Sequence, residues 1–100
     1  MEVRATATER VLWVTVRGEA DLSNHDQLVA ALGAIAFDGV DEVYVDLGDL
    51  LFCDVRSIAA LVAFARRARN GGRVTRFDGA SGVIRRAVRL LGGDEDPLVG

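Results

Sequence analysis

The sequence predicts a buried strand that leads through a short loop into a helix. The loop and the helix start carry a carboxylate, a guanidinium and a hydroxyl group. The strand covers residues 43–47, and the loop and helix start contain Asp54, Arg56 and Ser57. The first N–H groups of a helix are unpaired, and the helix dipole favours negative charge beside them. A phosphate on a hydroxyl at this place would be well accommodated, so the segment suits a switch or a docking point.

A second carboxylate, Asp21, lies at the corresponding place in the first half of the chain, just before Ser23 and Asn24. Both Asp21 and Asp54 follow a predicted strand and precede a predicted helix, which favours one shared edge of a sheet, a usual binding position in α/β folds. Each aspartate can equally serve only to cap its helix or to bond local backbone. Ser23 and Asn24 are candidate caps for the first helix.

The sequence contains few residues that could catalyse a reaction or bind a metal ion. His25 is the single histidine and Cys53 the single cysteine, which leaves no Cys/His cluster for zinc and no internal disulfide. No nucleophile, base and orienting group accompany the aspartates. We therefore expect no enzyme activity, no cofactor and no metal, and we interpret Cys53 as an inward-facing apolar residue of the loop.

Length and composition favour one domain over residues 1–100, because half of the 100 residues are hydrophobic. The net charge of −3 argues against direct nucleic-acid binding. Residues 93–100 contain the run Asp94-Glu95-Asp96-Pro97 and are expected to form a mobile acidic tail. No signal peptide and no run of 18 apolar residues is visible, so we expect a soluble cytoplasmic protein without membrane insertion.

The elements that must position these side chains follow the order β-β-α-β-α-β-α. Strands are predicted over residues 2–8, 11–16, 43–47 and 73–77, with a hairpin turn at Glu9-Arg10. Three helices are predicted from apolar positions at helical spacing, and Asp38-Gly39 is expected to end the first of them. Because Tyr44 and Asp46 interrupt one face of their strand, we expect an α/β fold with a mixed, mainly parallel four-stranded sheet and helices mainly on one face.

Three segments at these positions carry a family resemblance. They are residues 18–22 (GEADL), residues 43–50 (VYVDLGDL) and residues 52–61 (FCDVRSIAAL). Together, at this spacing, they resemble the STAS domains of anti-sigma factor antagonists, whose motifs read G-E-x-D, V-x-x-D-L-x-x-[VL] and F-[IC]-D-S-S-G-L-x-x-L. The resemblance covers nearly the whole chain and implies the STAS (SpoIIAA-like) fold.

The resemblance implies a regulatory protein that binds an anti-sigma factor, often a serine kinase, and that is released when a residue at the start of the second helix is phosphorylated. In this sequence the acceptor position is occupied by Arg56, and Ser57 stands where relatives have glycine. Either the switch has moved to Ser57 or it is lost and binding is constitutive; we favour loss. The expected partner-binding residues are Asp21, Ser23, Asn24, Asp54, Val55, Arg56 and Ser57.

Two other functions fit the same resemblance. One is a STAS subunit of a transporter or a multiprotein scaffold, and the other is a module that senses a small ligand or nucleotide near Asp54. The sequence does not name the partner or the oligomeric state.

Overall fold

The structure, a computed structural model, describes residues 1–92. The predicted acidic tail of residues 93–100 lies outside the described residues. Five strands and three helices follow one another along the described part of the chain. The predicted element order is confirmed in outline, with one additional strand.

The chain opens with an antiparallel hairpin of β1 (Glu2–Thr8) and β2 (Val11–Ala20). The two turn residues between the strands, Glu9 and Arg10, have φ angles of 51° and 70°. Left-handed backbone at both central residues gives the turn a twist that matches the twist of the paired strands. The predicted hairpin is therefore confirmed, although neither turn residue is glycine.

The sheet has the order β1-β2-β3-β5, and its remaining strand pairs with the far end of β2. β3 (Glu42–Asp46) lies parallel to the first half of β2, and β5 (Val74–Asp78) lies parallel to β3. β4 (Leu50–Cys53) lies parallel to the last residues of β2. The prediction of four strands with a loop at this point was wrong, because β2 is long enough to extend beyond β3 and pair with a second partner.

Three helices complete the fold: α1 (His25–Gly33), α2 (Val55–Asn70) and α3 (Gly82–Leu90). A short 3-10 turn, Leu22–Asn24, leads into α1. The prediction that α1 extends to Asp38-Gly39 was wrong. The helix ends at Gly33, and in the segment that follows, the carbonyl groups of Phe37 and Val40 accept hydrogen bonds from the Arg73 side chain at 2.9 and 2.8 Å.

The two faces of the sheet differ in their surroundings. One face packs with the helices into a single hydrophobic cluster whose strand residues are fully or almost fully buried: Leu12, Val14, Val16, Val43, Val45 and Phe77. On the other face the Trp13 and Tyr44 rings stack with their centroids 4.5 Å apart, and Trp13 remains 47% exposed. The predicted arrangement of helices mainly on one face of the sheet is confirmed.

Two glycines with the same φ angle allow a test of the close contact between the loops that contain Gly79 and Gly48. Gly79 and Gly39 both have φ of 73°, but a Cβ at Gly79 would lie 3.0 Å from the Gly48 Cα, whereas a Cβ at Gly39 would meet nothing within 4 Å. We expect Gly39→Ala to lower the free energy of unfolding by about 1 kcal/mol through backbone strain alone. Gly79→Ala should cost more, because the loop of Gly48 must also move.

Urea denaturation of both variants measures this difference. Equal losses at the two sites would contradict a tight contact between Gly79 and Gly48.

Candidate docking edge

The ends of β2 and β4 meet at one edge of the sheet. Ala20 pairs with Cys53, and the Asp54 N–H donates a hydrogen bond to the Ala20 carbonyl at 3.0 Å. The residues that follow these two strand ends, Asp21 and Asp54, each begin a helical segment. The structure therefore brings the two predicted aspartates to the same edge through their backbones.

Asp54 caps α2. Its carboxylate accepts a hydrogen bond of 2.8 Å from the Ser57 N–H, the third N–H of the helix. This bond from the Ser57 backbone, aided by the nearby Ser57 hydroxyl and by the positive charges of His25 and Arg56, lowers the pKa of Asp54 below its usual value. The predicted alternative role of Asp54 as a helix cap is confirmed.

Ser57 lies in the interior, with 0% of its surface exposed. Its hydroxyl lies close enough to the Asp54 carboxylate to influence its pKa, yet it has no hydrogen-bond partner of ordinary geometry. A kinase must reach a hydroxyl directly in order to transfer phosphate to it. Ser57 is therefore a poor acceptor unless the start of α2 opens.

Asp21, Ser23 and Asn24 form a closed set of local hydrogen bonds. The Asp21 carboxylate accepts from the Ser23 N–H, and the Asn24 side chain accepts from the Asp21 N–H, both at 3.0 Å. The Asn24 amide also donates to the Glu19 carbonyl at 2.9 Å. This reciprocal capping box makes Asp21 the cap of the 3-10 turn. Asn24, one of the two predicted caps, occupies the N-cap position of α1, but its side chain makes no capping hydrogen bond there.

Exposed apolar side chains surround these caps. Leu22 is 66%, Phe52 50% and Val55 68% exposed, and the Arg56 side chain is also exposed. We call the surface of Asp21, Leu22, Phe52, Asp54, Val55 and Arg56 the docking edge. Leu22 and Phe52 were missed by sequence reasoning.

A bulge in β4 explains the exposure of Phe52. Gly18 pairs with Leu50 and Glu19 with Phe52, so Leu51 is an extra residue in the strand. The alternation of buried and exposed positions breaks at such a bulge. The run of apolar residues from Leu50 to Cys53, too long for one buried face of a strand, was the available signal.

Cys53 has the properties of a structural residue. It is half-buried, and burial, with a smaller contribution from the Asp54 charge, raises the pKa of its thiol to about 12. Because the thiolate is the reactive form, this environment suppresses its chemistry. Within residues 1–92, no three His, Cys, Asp or Glu side chains are arranged to hold a metal ion.

Comparison with known proteins gives a family match over most of the chain and several solved structures with the same fold. The STAS_2 family, described as "Mlab, STAS domain", matches residues 3–100. No curated protein sequence matches the chain. Among the 92 described residues, no helix is both long enough and apolar enough to cross a bilayer.

Three solved structures illustrate the shared fold. The cell fate determinant SpoIIAA of Bacillus, in its phosphorylated form, is 18% identical, with a TM-score of 0.75 over 99% of this chain and 89% of that chain. An anti-sigma factor antagonist from Mycobacterium paratuberculosis is 24% identical, with a TM-score of 0.71 over 94% and 80%. A sulfate transporter family protein from Wolinella succinogenes is 18% identical, with a TM-score of 0.70 over 94% and 79%.

The lowered pKa of Asp54 predicts how stability depends on pH. A carboxylate whose pKa is depressed by folding stabilises the protein above its unfolded pKa, and the contribution disappears as the pH falls through the folded pKa. Asp54→Ala removes both the cap and the charge and should lower the melting temperature at pH 7. Asp54→Asn keeps a capping oxygen and should lose less.

Thermal unfolding of the three proteins from pH 7 down to pH 2 checks this. The advantage of the wild type over Asp54→Asn should shrink below about pH 4, where an unfolded aspartate becomes protonated. An advantage that stays constant down to pH 2 would contradict the assigned role of the carboxylate.

Proposed function

We propose that this chain, which belongs to the STAS domain family, is a non-catalytic regulatory module that binds a kinase-type anti-sigma factor through its docking edge. Its resemblance to anti-sigma factor antagonists supports this class of function. The observation that carries the proposal is the exposed guanidinium of Arg56 on the first turn of α2, beside Asp54 and among exposed apolar side chains.

The composition of the docking edge suits a protein partner. Interface energy is concentrated in a few apolar or arginine side chains that become fully desolvated, with charged groups around them that set specificity. Leu22, Phe52 and Val55 supply exposed apolar area, and Arg56 supplies a planar donor for a partner carboxylate. The capping bonds of Asp21 and Asp54 fix the backbone beneath them, which reduces the entropy lost on binding.

We further propose that binding is constitutive, because the phosphorylation switch is lost. Arg56 offers no hydroxyl, and the hydroxyl of its neighbour Ser57 is buried. In a phosphorylated relative the modified residue would bring roughly −1.5 to −2 charges to this surface. Here the same surface carries a permanent positive charge at Arg56.

A second candidate function is a STAS subunit of a transporter or scaffold. The structural likeness to the sulfate transporter family protein of Wolinella succinogenes favours it. The same docking edge would then bind a different protein. Identification of the partner that co-purifies from the native host separates the two, since a permease or transport ATPase would replace the anti-sigma factor.

The docking edge should control binding to the kinase-type anti-sigma factors of the host. Arg56→Glu reverses the charge at the edge and should weaken binding at least about tenfold, as losses of close interfacial charge pairs do. Asp54→Asn, which keeps the cap, should have a smaller effect. Titration calorimetry with purified partners measures both.

Arg86→Glu is the matched control, because Arg86 is an exposed arginine on α3 and the change in net charge is identical. It should leave the affinity unchanged. Binding that is indifferent to Arg56→Glu, or equally weakened by Arg86→Glu, would remove the docking edge as the contact surface.

Incubation with a bound kinase and ATP tests the loss of the switch. We expect intact-mass spectrometry to find no phosphate on the wild type, because its neighbouring hydroxyl at Ser57 is buried. The variant Arg56→Ser restores an exposed hydroxyl on the first turn of α2 and should gain one phosphate. Efficient modification of Ser57 in the wild type would show that the switch has moved instead.

A further inference from the structure

A groove of about 580 Å³ lies between α1 and α2. The residues of α2 that line it are Arg56, Ala59, Ala60, Ala63, Phe64 and Arg67. Their spacing of three and four residues places them in one stripe along a helix. The groove therefore runs the length of α2 from the docking edge towards the other end of the molecule.

The middle of the groove is apolar and is lined by small side chains. Ala59, Ala60 and Ala63 present only methyl groups, so the backbone of another segment can approach α2 closely. From α1, Val29 adds an apolar side chain that remains 47% exposed. Small and apolar side chains of this kind are typical of surfaces where one helix packs against another. No further helix among residues 1–92 covers them.

Both ends of the groove are basic. Arg56 lies at the start of α2 and Arg67 eleven residues later, which corresponds to about 16 Å, or three helical turns. His25 also lines the groove, and none of the lining residues within 1–92 is acidic. The imidazole Nδ1 of His25 is buried and has no hydrogen-bond partner.

Arg67 is held in place by contacts that leave part of its guanidinium available. One nitrogen donates to the Leu32 carbonyl at 3.0 Å, and the group lies 5.5 Å from the centre of the Phe64 ring. A guanidinium has five N–H donors, and the bond to Leu32 occupies one. Arg67 remains exposed to solvent.

We infer that this groove binds an acidic amphipathic helix of the partner. The helix is about three turns long, carries carboxylates eleven residues apart that pair with Arg56 and Arg67, and places small or medium apolar side chains between them. The inference rests on the proposed function, because Arg56 belongs both to the docking edge and to the groove. It adds the chemistry and the shape of the segment that the partner must offer.

Charge complementarity favours a helix over a single-headed amphiphile such as a fatty acid. A fatty-acid carboxylate can neutralise one arginine and leaves the other, about 16 Å away, without an anion. A helix presents residues i, i+4, i+7 and i+11 on one face, which matches the order of basic, apolar, apolar and basic positions along α2.

A synthetic peptide tests the inference independently of the native partner. The probe is a fluorescein-labelled, side-chain-stapled 18-residue helix with glutamates eleven residues apart and leucines at the i+4 and i+7 positions between them. The control probe has lysines in place of the two glutamates. Fluorescence anisotropy with the full chain should give binding of the glutamate peptide that is at least about tenfold tighter than that of the lysine peptide.

Variants of the chain locate the site. Arg67→Glu should weaken the glutamate peptide by about tenfold and strengthen the lysine peptide, a charge-swap rescue that misfolding cannot produce. Ala63→Gln fills the groove without changing charge and should weaken both peptides. Arg86→Glu, on α3, should change neither affinity.

Each of three results would overturn the inference. They are equal affinity for the two peptides, absence of the charge-swap rescue, and binding of dodecanoate at the groove without binding of the glutamate peptide. The proposed function is judged separately, by anti-sigma factor binding to the Asp54 and Arg56 variants. Loss of that binding in Arg56→Glu but not in Arg67→Glu or Ala63→Gln would retain the docking edge and reject the groove.

Discussion

The pairing of β4 with the last residues of β2 determines where every side chain of the docking edge lies. β3 uses the first half of β2, and the free second half would leave its backbone groups unpaired at the edge of the sheet. β4 satisfies them and then passes directly into α2, with the Asp54 N–H bonded to the Ala20 carbonyl. Two helix starts that are far apart in sequence are thereby held side by side by main-chain bonds, independently of which side chains they carry.

Much of this arrangement could be predicted from the sequence. Alternating apolar residues specified β2 and β3, and the 3.6-residue period specified α2, because both patterns reflect burial of one face. The bulged β4 could not be predicted, since Leu50–Cys53 is too short to reveal a period and the bulge interrupts it. The existence of a strand there depends on β2 having an unpaired segment, which is a tertiary property.

The candidate site was predicted less completely than the fold. Asp21 and Asp54 were correctly placed at one edge of the sheet, and capping was among the roles expected of them, but the burial of Ser57 depends on how α2 is rotated against the core. A signal for that rotation was present, because Ser57, Leu61 and Ala68 lie on one helical stripe and all are buried. The exposure of Leu22 gave no such signal, since its position before a helix is equally typical of a residue that packs against the first turn.

The stacked pair on the open face of the sheet has a practical consequence. Trp13 is the single tryptophan of the chain, it is half-exposed, and its ring stacks on the Tyr44 ring. The Arg76 guanidinium lies 5.6 Å from the centre of the Tyr44 ring. The fluorescence emission of Trp13 therefore arises from one chemical environment. It is sensitive to the polarity at the open face of the sheet rather than to the helices on the other face. Trp13 fluorescence therefore reports the binding of a molecule to the face of the sheet opposite to α2.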